Sequence, residues 1–274
     1  MITVMNRLTI MRSAARVAGD FVRSNSKLTD SSLKANANDL VTVADIKSQD
    51  ILRKELLKAF PDEVIVSEED PEEKRQTLLR ADFTGFVLDP IDGTFNFKRN
   101  MQESAISVGY IENGNPKFGV IYDPYKDELF EAELGKGAKC NGQAIHVSDQ
   151  KSLEGASIAT SNGYDYAAAA RNLQREIAIY EKTDVMPWIS CPGSAVLVLA
   201  WVAAGRVDAI HHTGFKPWDN AAGLLIVREA GGIAHKLGSS DDAKFTDAAI
   251  LAANLTIGQE LQKIFAGIDP ELLK

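Results

Sequence analysis

The residues with the most chemistry to offer lie in FVLDPIDGTFNF, residues 86–97. An apolar strand delivers Asp89 to its end, Pro90 fixes the turn, and Asp92 follows three residues later. Gly93 lets a ligand approach the main chain, and Thr94 adds a hydroxyl and an amide at the start of an anion-binding helical turn. Two carboxylates beside such a turn suit a metal–phosphate site. Taken alone, the DP and DG pairs read more simply as ordinary turn chemistry. Two further acidic segments share that ambiguity. Ser67-Glu68-Glu69-Asp70 follows the apolar run VIV and reads by itself as a solvated charge run. Asp219 in KPWDNAAG precedes a small-residue helix, where capping alone is worth ~1 kcal/mol. Asp45 follows DLVTVA and reads by default as the N-cap of the next helix.

The elements that must position these residues follow from periodicity. Residues 4 to 22 place Met5, Leu8, Met11, Ala15, Ala18 and Val22 on one helical face. After Asp45, Ile51, Leu52, Leu56 and Phe60 keep helical spacing until Pro61. From Val64 the short β-rich runs VIVS, FTGFVL, AISVGYI, FGVIYD, ELFEAEL and AIHVS predict a meandering, largely antiparallel sheet. Beyond about residue 150 strands alternate with helices, among them the small-residue stretch GSAVLVLAWVAAG. The expectation is two sheets flanked by helices in a two-lobed molecule, divided near Asn141 to Gln150. His211 and His212 are adjacent on a strand-like run, so they point to opposite faces and do not share a metal; one of them is expected to be packed.

A net charge of −8 without a local basic patch argues against nucleic acid or an anionic membrane as the main partner. Cys140 and Cys191 form no CxxC pair and are expected to be free thiols, buried or half-buried. The first residues carry arginines through their apolar positions, unlike a signal peptide. No run approaches the roughly 20 apolar residues of a membrane span, and a reducing cytoplasm is the expected compartment. GxxxxGK[ST], HExxH and GxSxG are all missing.

The order DLVTVAD, SEED, LDPIDGTFNF, GKGAKCNG and PWDNAAG, with EAGG after it, closely resembles the inositol monophosphatase family from about Lys34 to Asn254. The resemblance implies an αβαβα layered sandwich of the sugar-phosphatase type, with an N-terminal antiparallel sheet and a C-terminal mixed sheet. Residues 1–145 would carry most metal ligands, and residues 146–274 Asp219 and the substrate-reading residues. It implies magnesium-dependent, lithium-sensitive hydrolysis of a small phosphomonoester by a homodimer, with two or three Mg2+ ions and Mn2+ able to substitute. Glu68, Asp89 and the carbonyl of Ile91 would bind one ion, Asp89 bridging to a second held by Asp92 and Asp219, and a third would sit near Glu68. Thr94 would pair with Asp45 to act with Glu68 in catalysis. Gly93, Thr94, Ser194, His212 and Asp219 would face substrate.

Electrostatics agrees with that implication. Carboxylates converging on one pocket repel one another by ~4 kcal/mol per close pair, so only bound cations make it habitable for an anion. Hard oxygen ligands select magnesium or manganese over zinc. Two departures fall in the substrate-reading half. His212 stands where inositol-hydrolysing members carry an acid, and Ile189-Ser190-Cys191-Pro192-Gly193-Ser194 occupies a stretch where many carry arginine. The substrate is therefore left open among an inositol phosphate, a sugar bisphosphate, phosphoadenosine phosphate, histidinol phosphate and a dinucleotide 2′-phosphate. A regulatory protein-binding module with vestigial catalysis is the alternative of a different class.

Overall fold

The computed structural model describes residues 7–28, 30–33, 40–161 and 166–273. Helix α1 (Arg7–Ser24) buries Leu8, Met11, Ala14, Ala15, Ala18 and Val22 along one stripe; residues 4–6 of the expected helix, Met5 included, lie outside the described residues. An antiparallel ribbon of β1 (Ser31–Leu33) and β2 (Leu40–Thr42) leads into α2 (Val43–Ala59). Thr42, not Asp45, is the N-cap of α2. The Thr42 hydroxyl accepts from the N–H groups of Ala44 and Asp45, and the Thr42 N–H donates to the Asp45 carboxylate at 2.7 Å. Asp45 is thereby fixed in the first turn with one oxygen left over. Phe60 ends the helix just before Pro61.

The next strand, β3 (Ile65–Ser67), is followed by a short α3 (Glu72–Arg75), then β4 (Gly85–Asp92), α4 (Thr94–Lys98) and β5 (Ala105–Glu112). The sheet continues through β6 (Asn115–Asp123), β7 (Glu128–Glu133), β8 (Ala138–Cys140) and β9 (Gln143–Ala144), in that spatial order. The run AIHVS adds only Ala144 to it. Pairing is antiparallel as expected, with one correction: β3 and β4 run parallel, Ser67 opposite Leu88. The chain crosses over through α3 before re-entering at Gly85, and a crossover is what a parallel pair requires. As a result Glu68 and Asp89 leave adjacent strands at the same sheet edge.

The second sheet is mixed. Its strands are β10 (Ser157–Ala159), β11 (Trp188–Ser190), β12 (Ala209–His212), β13 (Ile233–Lys236) and β14 (Ile250–Ala253), ordered β11-β10-β12-β14-β13. Four helices accompany it: α5 (Tyr166–Tyr180), α6 (Ala195–Ala203), α7 (Pro217–Glu229) and α8 (Leu255–Phe265). Residues along each strand alternate between neighbouring layers. In the first sheet Ile106, Val108 and Val120 pack with α1 and α2, whereas Ala105, Ile121 and Phe130 pack with α6 and α7. In the second, Ile210 and Ala252 meet α6 and α7, whereas Ala209, Leu251 and Ala253 meet α8. Five layers result, αβαβα. Ten of the 13 residues of α7 are buried, which fits a helix sealed between two sheets. Cys140 and Cys191 are free; Cys140 is half-buried, but Cys191, just past the edge strand β11, is exposed rather than buried. No helix among the described residues is long and apolar enough to cross a membrane.

Glycines set how closely α7 lies on the first sheet. A Cβ at Gly109 would stand 2.6 Å from the Ala221 Cβ, and one at Gly119 would stand 2.8 Å from the Ala222 carbonyl oxygen. Both obstacles sit on the helix backbone or its first side-chain atom, so α7 itself would have to move. Gly109→Ala and Gly119→Ala are each expected to lower stability by about 1–3 kcal/mol in urea unfolding, the cost of overpacking a filled interface.

Candidate functional site

Strand β4 becomes irregular where its chemistry begins. Asp89 pairs with Ser107 and Asp92 with Ala105, so three steps on β4 match two on β5. In a regular strand Asp89 and Asp92 would face opposite sides; the extra residue returns both to one side. The Ile91 N–H donates to Asp89 Oδ1 at 3.1 Å, and the Ser48 hydroxyl holds the Pro90 carbonyl at 2.8 Å. Gly93 follows in the left-handed region, φ 86°, where a Cβ would meet the Glu103 carbonyl oxygen at 2.8 Å.

The other half of the site comes from two helix starts. Ser194 caps α6, accepting from the Leu197 N–H and donating its own proton to Asp92 Oδ2; the Val196 N–H donates to the same oxygen at 2.8 Å. Asp219 lies in the first turn of α7 and accepts from the Lys216 N–H at 2.8 Å. One carboxylate oxygen from each of Asp89, Asp92 and Asp219 falls within 4.8 Å of the others. Asp89 is 1% exposed and Asp219 8%. This set of clustered oxygen donors, without cysteine or histidine, fits a hard divalent cation.

Around the cluster, Thr94 Oγ1 lies 3.0 Å from Asp45 Oδ1 and 3.1 Å from the Ile91 carbonyl oxygen, with one proton to give to either. Glu68 is not within the triad; it follows β3 where that strand lies beside β4, and its charge is among the lesser causes that raise Asp45, Asp92 and Asp219. Asp70 is spent structurally: it accepts from the Ser67 N–H at 2.9 Å and pairs with Arg53 and Lys74.

Burial is the main cause of every carboxyl shift at the site. It pushes Asp92 up to about 6 against the hydrogen bonds from Ser194 and Val196. It pushes Asp45 up to about 6 against those from Thr42. Asp219 is raised well above the ordinary carboxylate value by burial and then by the neighbouring Asp92.

Two residues expected to read substrate, Ser194 and His212, are buried. The Ser194 hydroxyl is buried and used up on Asp92 and Leu197. His212 is 5% exposed and stacks edge-to-face on Phe215 at 4.8 Å. Burial, with Arg175 nearby, lowers its pKa to about 3, so the ring is neutral. His211 points the other way, onto Phe265, so both histidines are packed rather than one. Asn96 escaped the sequence reading. It is buried and its amide bridges the Glu103 and Pro192 carbonyls at 2.8 and 2.7 Å, tying the loop before α6 to the start of β5. Its place inside DGTFNF was the one available signal.

Five alternating layers with an acidic cluster at the sheet edge define an inositol monophosphatase-like sugar-phosphatase fold. The model of the inositol monophosphatase family matches residues 5–268, and the chain belongs to that family. The Nus factor SuhB of Xylella fastidiosa is 34% identical over 265 residues, 94% of this chain and 93% of the relative. A fructose-1,6-bisphosphatase/inositol-1-monophosphatase of Thermotoga maritima is 35% identical over 239 residues, 87% of each. The solved IMPase of Thermotoga maritima superposes with a TM-score of 0.84 at 33% identity, covering 98% of this chain and all of that one.

Because Asp219 and Asp92 are held above their ordinary value near 4, their charged forms cost stability in the metal-free protein. That stability is fully present below about pH 4 and is lost as pH rises through the folded values, about 6 for Asp92. With a chelator present, Asp219→Asn is expected to unfold at a higher temperature than the wild type at about pH 7, the gap closing toward about pH 4. Thermal scans across that range, with and without magnesium, check it; magnesium should raise the wild type more than the variant.

Proposed function

We propose that the chain is a magnesium-dependent phosphomonoesterase acting on a small phosphorylated metabolite. The observation that carries this reading is the convergence of Asp89, Asp92 and Asp219 beside the Gly93–Thr94 turn. Asp89, Asp92, Asp219, Glu68 and the Ile91 carbonyl would hold two or three Mg2+ ions, with Mn2+ able to substitute. When bound, such ions acidify and orient water and neutralise the charge on the departing oxygen. The amides of Gly93 and Thr94 would receive the phosphate.

Thr94 and Asp45 would handle the proton. With its hydroxyl proton directed to Asp45 Oδ1, Thr94 presents a lone pair to a water on its open side, and Asp45 is the acceptor behind it. The capping hydrogen bonds on the other Asp45 oxygen fix the carboxylate for that task. Ser194 acts through Asp92 by holding its orientation. The reading leaves the substrate open, since His212 stands where inositol-hydrolysing members carry an acid and yet packs on Phe215. A homodimer, and a division near residue 145 into a metal-holding and a substrate-reading half, belong to the same reading.

A second reading, a role in a regulatory or transcription-related complex, is favoured by one observation: a relative 34% identical over nearly its whole length is called a Nus factor. The net charge of −8 points such a role toward a protein partner rather than bare RNA.

Phosphate release from a panel of phosphomonoesters separates the two. Turnover with magnesium and its loss with a chelator are expected; no turnover on any member would leave only the second reading. Asp89→Asn should abolish turnover while leaving the fold, because an amide cannot supply the charge that Asp89 would bring to a bound cation. Thr94→Ala should lower kcat by roughly 10²–10⁴-fold with a much smaller change in KM, since its contact with the attacking water is made mainly in the transition state. A change confined to KM would assign Thr94 to phosphate binding instead.

A further inference from the structure

Three cations meet the turn after β3, Arg53 from α2 and Lys74 and Arg75 from α3, and they have different employment. Arg53 and Lys74 flank Asp70, whose carboxylate folds back on the Ser67 N–H and closes the turn after β3. Arg75 does something else. Its Nη1 donates to the main-chain carbonyl of Glu68 at 3.2 Å, while its guanidinium lies 5.5 Å from the centre of the Trp218 ring. Trp218 immediately precedes Asp219 and is 8% exposed, packed with Leu78 and Phe83 of the crossover to β4 and with Val66 and Val87 of the sheet. One half-buried side chain therefore touches both segments that bear the acids: the turn that carries Glu68 and the helix start that carries Asp219.

We infer that Arg75 is a positioning residue, clamping the Glu68 turn onto the first turn of α7 so that Glu68 reaches the cavity occupied by Asp89, Asp92 and Asp219. The inference rests on the metal-site reading above. Two alternatives make different forecasts. If Arg75 acted only as a nearby positive charge, removing it would strengthen cation binding, because like charges repel. If it were only a packing element, its loss would lower the stability of the metal-free protein and leave metal affinity alone. A clamp gives the remaining pattern: weaker metal binding without a loss of metal-free stability. A guanidinium suits the task, being flat enough to lie on an indole while its fork reaches a carbonyl.

The test is Mn2+ binding to the chelator-stripped full chain by titration calorimetry, together with the magnesium concentration that half-activates phosphate release. Arg75→Met is expected to weaken the weakest Mn2+ site by roughly 10-fold, to raise the half-activating magnesium concentration in parallel, and to leave kcat at saturating magnesium and the metal-free unfolding temperature near those of the wild type. In a Glu68→Gln background the same substitution should have no further effect, since Arg75 acts through Glu68. Arg75→Lys, which keeps the charge but not the flat fork, should show the same loss in smaller measure and serves if the methionine variant folds poorly. Unchanged or tighter Mn2+ binding in these variants overturns the inference, as does a loss that persists in the Glu68→Gln background. Should the wild type itself bind no Mn2+, the metal-site reading fails and takes the inference with it; binding by the wild type that Arg75→Met leaves intact removes Arg75 alone.

Discussion

Mutual repulsion among buried carboxylates is the constraint around which the rest of the molecule is arranged. Asp89, Asp92 and Asp219 bring oxygens within 4.8 Å of one another, and Asp45 and Glu68 add charge nearby. Four helices begin at this place: α2 with Asp45 in its first turn, the short α4 at Thr94, α6 with the N–H of Val196 on Asp92, and α7 with Asp219 in its first turn. Each helix start offers unpaired N–H groups and the positive end of a dipole, worth about 0.3–1 kcal/mol apiece. Repulsion at ~4 kcal/mol per close pair exceeds that sum. The backbone can orient the carboxylates but cannot replace the water they lose, so burial first, with neighbouring charge adding to it, keeps Asp92 and Asp219 raised despite good hydrogen bonds. A fold that holds such a cluster has traded stability for an arrangement that a cation completes.

Holding the cluster demands a rigid frame, and the central layer supplies it. Helices α6 and α7 lie between two sheets and are apolar on nearly every side, so they have no solvent-facing freedom to tilt. Gly109 and Gly119 admit α7 to the first sheet, and a Cβ at Gly223 would strike Leu199 Cδ1 at 2.5 Å, so α6 and α7 are equally close. Asp219 therefore takes its position from packing along the whole length of α7. On the other side of the cavity, Asn96 and Ser194 couple the turn after β4 to the start of α6, so Asp92 is held from both directions. The crossover that brings in Glu68 is anchored by Leu78 and Phe83 packed on Trp218, and its first turn is fastened by Arg53, Lys74 and Arg75.

What the sequence by itself determined is local. The 3.6-residue repeat predicted α1 and α2; the alternation of apolar runs predicted the strands of the first sheet; and Pro90, Asp92 and Gly93 announced a turn that only glycine could complete. The order of acidic motifs pointed to the family, because each motif is a short segment whose residues sit together wherever the chain goes. These features depend on neighbours a few positions apart, so periodicity and turn chemistry register them.

Tertiary structure decided everything that joins distant segments. The parallel pairing that sets Glu68 beside Asp89 depends on a crossover whose handedness and direction leave no mark on the apolar pattern. Ser194 holding Asp92 spans 102 residues, and its type is equally suited to a helix cap, which it also is. Strand alternation put His211 and His212 on opposite faces but could not say what covers each face; Phe265 and Phe215 do. Asp70 and Glu68 are chemically alike and two residues apart, yet Arg53 and Lys74 pair with the first while the charge of the second bears on Asp219. A carboxylate's role is set by the charges that surround it in space, and those are brought there by packing rather than by spacing.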